Sequence, residues 1–171
     1  MKYFRLLLIL ALSSFMYACA SPAQVSHMEI KDTTTMVFNK KFVKAIKLAP
    51  IGNISETYGM INADHFESAL FLSLKQLDLI AINNKPRYEL SVQFMSAEQP
   101  LFGIDFEVTS KIKYILIDKN SNKVIINNTI LAPYTASFSD AWIAAKRLKL
   151  ANEGTVRLNI MKFLEKLSSL K

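Results

Sequence analysis

Alternating apolar and polar residues mark the middle of the chain as three consecutive β-strands. Residues 87–97 place four apolar side chains on one face: Tyr88, Leu90, Val92 and Phe94. Residues 104–117 repeat the pattern with Phe106, Val108, Ile112, Tyr114 and Leu116, and a third run extends from Val124 to Tyr134. A period of two is typical of half-buried strands. The short links between the runs favour an antiparallel meander with one face in water.

Two other segments have helical spacing. Asp64 begins the first, with Glu67 in the capping-box position, and its apolar stripe comprises Phe66, Ala69, Leu70, Leu74, Leu77 and Ile80. Ser139 or Asp140 caps the second, whose apolar face comprises Trp142, Ala145, Leu148, Val156, Ile160, Phe163, Leu164 and Leu167. The pattern of apolar residues at 42–50 predicts one more strand, ahead of the first helix.

The order strand, helix, three strands, helix predicts the fold class α+β. We expect a two-layer sandwich in which an antiparallel sheet of about four strands carries two helices on one face. The short polar turn at 118–122 and the connection at 99–103 separate the meander strands.

The last helix contains two features whose roles the pattern leaves open. Gly154 costs about 1 kcal/mol relative to alanine inside a helix, and it marks either a kink or a close approach to the sheet. The densest charged group of the chain is Asp140, Arg147, Glu153 and Arg157. We favour helix capping and surface pairing for this group, including a Glu153–Arg157 pair. An enzymatic alternative requires the four to converge in a pocket.

Large apolar residues also fall in the predicted loops. They are Tyr58, Met60 and Ile61 in one loop, and Leu101, Phe102 and Ile104 in another. Loops normally run over the surface, so these residues either fold back onto the sheet edge or form an exposed patch. An exposed patch indicates contact with a partner or with lipid.

The amino-terminal residues have the three-part pattern of an export signal. Lys2 and Arg5 precede a short apolar run at 6–12, which ends before the small residue Ala18 and the single cysteine, Cys19. The run is shorter than the 20 or so residues that span a bilayer. We therefore predict a signal peptide at 1–18, a flexible tether at 19–40 and a single periplasmic domain at 41–171.

The segment Met16-Tyr17-Ala18-Cys19 resembles a bacterial lipobox, in which the cysteine after a small residue becomes lipid-modified. The resemblance implies that Cys19 is a palmitate-bearing lipidation site. Ala20 and Ser21 lack the aspartate that resembles an inner-membrane retention signal, which favours the outer membrane, facing the periplasm, over the inner membrane. With its element order, the chain resembles small Gram-negative envelope lipoproteins, either lipopolysaccharide-assembly (LptE-like) lipoproteins or auxiliary lipoproteins of lipid transporters.

Charge and composition narrow the function classes. The formal charge is +7, and because Lys2 and Arg5 belong to the signal, about +5 remains, dispersed along the chain. No nucleic-acid-binding signature is present. His27 falls in the tether, and His65 lies beside Asp64 and Glu67 on different faces of a helix turn. We therefore assign no catalytic, cofactor-binding or metal-binding residue and no cofactor.

These features together predict a non-enzymatic binding or assembly accessory of the cell envelope, in an outer-membrane or lipid-transport complex. Its expected partners are the membrane, through the lipid anchor, and an envelope protein or a lipid-type ligand, with no nucleic acid. Two alternatives stay open: an enzyme acting on envelope lipid or glycan, and a purely structural lipoprotein.

Overall fold

A mixed sheet of four strands forms one layer of the protein, and helices form the other. The computed structural model describes residues 22–32, 36–52, 60–82 and 85–170. The strands are β1 (Ile46–Leu48), β2 (Tyr88–Glu98), β3 (Phe106–Asp118) and β4 (Lys123–Ala136), and they lie in that order across the sheet. The helices are α1 (Val25–Met28), α2 (Ala63–Gln76) and α3 (Ala144–Ser168).

The strand directions follow from the connections. Strand β1 runs parallel to β2 because α2 crosses between them, whereas β2, β3 and β4 form the antiparallel meander. The predicted α+β sandwich is confirmed, with a mixed sheet rather than a purely antiparallel one. The first strand is shorter than the predicted 42–50: it comprises only residues 46–48, and the left-handed φ of 52° at Lys44 prevents it from starting earlier.

Both long helices pack on the same face of the sheet. On α2, the ring of Phe66 meets that of Phe94 edge-on at 5.6 Å between centroids. On α3, the ring of Phe163 stacks on that of Tyr114 at 4.3 Å. Side chains alternate between the two faces of the sheet along each strand. In the register of β2 and β3, Phe94 and Tyr114 therefore lie on the same face, which is the inner one. The hydrophobic core therefore lies between this face and the two helices.

The N-cap of α2 lies two positions before Asp64, the predicted cap, so the predicted capping box with Glu67 is not formed. The N-cap is Asn62, whose side-chain oxygen accepts hydrogen bonds from the backbone N–H groups of Asp64 and His65. Asp64 therefore lies inside the first turn, where a negative charge also suits the helix dipole.

The prediction that Ser139 or Asp140 caps α3 is wrong. The Asp140 carboxylate accepts hydrogen bonds from the backbone N–H and the hydroxyl of Ser137, so it closes a turn instead. These bonds hold the pKa of Asp140 below its usual range. The helix begins four residues later, at Ala144. Trp142, predicted on the buried helix face, is instead 80% exposed in the preceding loop.

Gly154 marks a close approach of α3 to the sheet. A Cβ at this position would overlap the ring of Tyr134 on β4. Two polar side chains then connect the next turns of α3 to the sheet. Thr155 Oγ1 accepts a hydrogen bond from the Ser110 N–H (2.8 Å) and donates one to the Ala132 carbonyl. Asn159 accepts from the Tyr114 hydroxyl (3.0 Å), and burial raises the pKa of that hydroxyl well above its usual range.

The part of the predicted tether that the structure describes is packed on the domain. Ala23, Met28 and Ile30 are buried in the core, and the backbone N–H of Ile30 donates a hydrogen bond to Ser73 Oγ on α2 (3.0 Å). Through these buried side chains, the segment 22–32 packs against both α2 and α3. The folded domain thus begins by residue 22, whereas the predicted signal peptide and Cys19 lie outside the described residues.

We expect Gly154→Ala to lower the free energy of unfolding by about 1–3 kcal/mol, as overpacked cores do. The added methyl group would occupy the space of the Tyr134 ring. A urea titration measures the change. Gly52→Ala is the matched control because nothing lies within 4 Å of a Cβ there. At an unhindered helix position, alanine would instead stabilise the protein by about 1 kcal/mol, and that result would rule out the close approach.

Candidate functional site

The four charged residues of the last helix and its approach do not converge. Asp140 pairs with Ser137, whereas Arg147 donates from Nη1 to the carbonyl oxygens of Ala141 (2.7 Å) and Trp142 (2.9 Å). The expected surface pair between Glu153 and Arg157 is also not formed, because both groups bind the amino-terminal segment instead. The prediction of surface capping and pairing is therefore wrong for Arg147 and Glu153, which are 5% and 1% exposed.

Glu153 and Arg157 hold the segment 22–32 in what we term the N-terminal clamp. Glu153 Oε1 accepts a hydrogen bond from the Gln24 N–H (2.8 Å), and its Oε2 lies 2.9 Å from His27 Nδ1. Lys149 Nζ lies 3.9 Å from Glu153 Oε1. Arg157 Nη1 donates to the His27 carbonyl (2.7 Å). His27 is therefore held in place on the domain, contrary to the expectation that it lies in a mobile tether.

A groove of about 510 Å³ opens beside the clamp. Its apolar walls are the side chains of Ile30, Tyr134, Leu158 and Met161. Charged residues of both signs line its rim, and one pair of them, Lys31 and Glu29, lies 3.8 Å apart. The volume is within the range of small-molecule sites.

A second candidate site is a set of exposed apolar side chains at one end of the sheet. The loop 99–105 joins β2 to β3, and the loop 137–143 joins β4 to α3. We term these two loops the apolar tip. Its exposed large side chains are Leu101, Phe102, Ile104, Phe138, Trp142 and Ile143. Leu101 is 95% exposed and Phe102 is 86% exposed, so these side chains contribute nothing to the core.

The two loops of the tip are tied together. Asp105 Oδ1 accepts a hydrogen bond from the Phe138 N–H (2.9 Å). Behind them, the guanidinium of Arg147 lies over the rings of Phe106 and Phe138, at 5.3 and 5.2 Å from their centroids. Arg147 makes no ion pair among the described residues, and its Nε has no hydrogen-bond partner there. Arg147 therefore supports the tip from within, through carbonyl oxygens and aromatic rings.

The structure decides between the two interpretations of the apolar loop residues. Leu101, Phe102 and Ile104 form an exposed patch. Ile61 is buried and Met60 is half-buried, so that part of the other loop folds back onto the domain. Tyr58 lies outside the described residues.

His65 and Glu67, near the start of α2, have structural roles. His65 Nδ1 lies 2.9 Å from the Ala23 carbonyl oxygen, and Glu67 accepts a hydrogen bond from the Ile51 N–H (3.1 Å). Within the described ranges, no three metal-ligating side chains come together. In the same part of the chain, no helix has the length and apolar character needed to cross a membrane.

Comparisons with known proteins identify the fold. No protein-family model and no curated protein sequence matches this chain. Its structure is similar to that of a Xanthomonas campestris protein of the family DUF330, with a TM-score of 0.54 and 13% identity over 77% of this chain and 90% of that one. It is also similar to a minor lipoprotein of Acinetobacter baumannii, with a TM-score of 0.52 and 13% identity over 74% and 92% of the two chains.

A third similar structure is a PelC dodecamer from Paraburkholderia phytofirmans. The TM-score is 0.51 and the identity is 17%, over 75% of this chain and 91% of that one. The predicted architectural resemblance to small Gram-negative lipoproteins is confirmed. At these identities the likeness establishes the shared fold.

We expect Glu153→Ala to release the segment 22–32 from the domain. The substitution leaves the Gln24 N–H and His27 without their carboxylate partner, and a buried polar group without a partner costs about 1–3 kcal/mol. Hydrogen exchange followed by mass spectrometry should show faster exchange at 22–32, while β2, β3 and β4 stay protected. Glu165→Ala, at an exposed position of the same helix, is the control. Unchanged protection of 22–32 in Glu153→Ala would contradict the clamp.

Proposed function

We propose that this protein is an exported lipoprotein, anchored through Cys19 at the periplasmic face of the outer membrane. In this proposal it acts by binding rather than catalysis, as an accessory of an outer-membrane or lipid-transport complex. The signal-like residues 1–18 and the lipobox-like segment before Cys19 support export and lipidation. The fold shared with a minor lipoprotein of Acinetobacter baumannii is consistent with this class of protein.

The apolar tip is the observation that carries the binding role. Single exposed apolar residues are common on protein surfaces, but contiguous apolar patches mark sites of interaction. Here six large apolar side chains occupy two loops that the hydrogen bond between Asp105 and Phe138 ties together, and Arg147 supports one of these loops from within. A preformed apolar surface of this kind binds without having to be ordered first, which lowers the entropic cost of association.

The non-enzymatic role is supported by how the charged residues are distributed. The enzymatic alternative needs Asp140, Arg147, Glu153 and Arg157 in one pocket. Each of them has a separate structural task instead: Asp140 closes a turn, Arg147 supports the tip, and the other two form the N-terminal clamp.

The proposal is tested by purifying the protein from membranes after mild cross-linking and determining the mass of its amino-terminal peptide. We expect the wild type to begin at Cys19, to carry acyl chains there and to co-purify with a discrete envelope complex. Several acyl chains anchor stably, because each buried CH₂ contributes about 0.8 kcal/mol. Cys19→Ala should lose the acyl mass and the complex, whereas Ser21→Ala, two positions away, should keep both.

Two results would contradict the proposal. An unmodified Cys19 in the wild type would show that the protein is not a lipoprotein. A lipidated protein with no cross-linked neighbour would contradict the accessory role in a protein complex.

A further inference from the structure

We infer that the apolar tip inserts into the same lipid bilayer to which the chain is anchored. The domain would then contact the membrane at two points, the acyl chains on Cys19 and the side chains of the tip. The inference rests on the proposed anchoring through Cys19, and it names the partner of the tip as the lipid surface itself.

The clamp fixes where the anchored end of the chain leaves the domain. The Ala23 N–H donates a hydrogen bond to the Met60 carbonyl (3.1 Å), and the Gln24 N–H donates to Glu153 on α3 (2.8 Å). Only Ala20 and Ser21 separate Cys19 from Pro22. Three residue steps extend to at most about 11 Å, so the lipid attachment stays within that distance of Pro22.

The position of Glu153 along α3 places this exit near the tip. The helix begins at the tip with Ala144 and runs away from it to Ser168. Arg147, which contacts the tip loop 137–143 and Phe106 at the start of β3, precedes Glu153 by about 9 Å along the helix axis, whereas Ser168 follows Glu153 by about 22 Å. The end of the domain that lies nearer to the bilayer is therefore the end that carries the tip.

The side chains of the tip suit the membrane interface. Trp142 is of the residue type that concentrates at the level of the lipid headgroups, and Leu101, Phe102 and Ile104 are large enough to reach the acyl region. The carboxylates of the tip, Asp105 and Asp140, already hold its loops by hydrogen bonds. Because the tip carries no basic cluster, insertion should depend on apolar contact and not on the charge of the lipid.

The sequence supplies both the tether and the reporter for a direct test. Cys19 is the only cysteine and Trp142 the only tryptophan. The chain from Cys19 to Lys171 contains every described residue. Its Cys19 thiol can be coupled to a maleimide lipid in phosphatidylcholine vesicles, which reproduces the anchor whether or not cells lipidate the protein. Trp142 fluorescence is then measured with and without brominated acyl chains.

We expect the emission of Trp142 to shift to shorter wavelength on coupling and to be quenched several-fold by brominated chains. The double variant Leu101→Ser, Phe102→Ser should lose most of this quenching. These side chains are almost fully exposed, so their replacement leaves the core intact. Val124→Ser, at an exposed position of β4 at the opposite end of the meander, should behave as the wild type. Replacing phosphatidylcholine by phosphatidylglycerol should leave the quenching unchanged.

Three results would overturn the inference. Trp142 emission identical to that of the uncoupled protein would place the tip in water. Equal loss of quenching in Val124→Ser would show that insertion is not specific to the tip. Quenching confined to phosphatidylglycerol would assign the contact to headgroup charge. Because the coupling to lipid is chemical, none of these results bears on whether Cys19 is lipidated in cells. A tip that binds a protein instead of lipid would give unquenched Trp142 on vesicles and a cross-linked neighbour in membranes.

Discussion

The structure depends on the close approach of α3 to the sheet. Gly154 allows the helix backbone to reach the ring of Tyr134, and at this distance Thr155 and Asn159 form hydrogen bonds with groups of β3 and β4. These buried polar bonds have direction, unlike apolar contacts, so they set the helix at one position along the strands. A hydrophobic interface alone would allow the helix to slide or rotate at lower cost.

The fixed position of α3 determines the geometry of the proposed function. The helix presents Arg147 to the tip and, about two turns later, Glu153 to the amino-terminal segment. The apolar tip and the proposed exit of the anchored chain are thus both attached to one helix, through two residues that lie about 9 Å apart along its axis. A domain held this way can present its apolar loops to the membrane surface without any large change of shape. The proposed lipid anchor on Cys19 would add to this by keeping the tip at a high effective concentration near lipid.

The sequence predicted the meander well because the burial of β3 alternates without interruption. It did not predict the length of β1, because the turn at Lys44 depends on backbone contacts with Asp78 and Leu79, far along the chain. It placed Trp142 on a buried helix face because Asp140 has the residue type of a helix cap but closes a turn. The sequence places residues 22–32 in the tether, although they pack on the domain, because a polar segment with a few apolar residues gives no periodic signal. Two features of the sequence indicate the polar contact between α3 and the sheet. They are the polar residue Ser110 at an inward position of β3, and the polar residues Thr155 and Asn159, four residues apart on the helix.

In the proposed arrangement, the end of the domain that carries the tip faces the bilayer. The most direct measurement is hydrogen exchange of the Cys19-coupled protein on phosphatidylcholine vesicles, compared with the uncoupled protein. We expect slower exchange in residues 99–105 and 137–143 on vesicles, with no change in the turn at 119–122. Slower exchange at 119–122, or no difference at the tip, would show that the domain is held in another orientation, with the tip away from the bilayer.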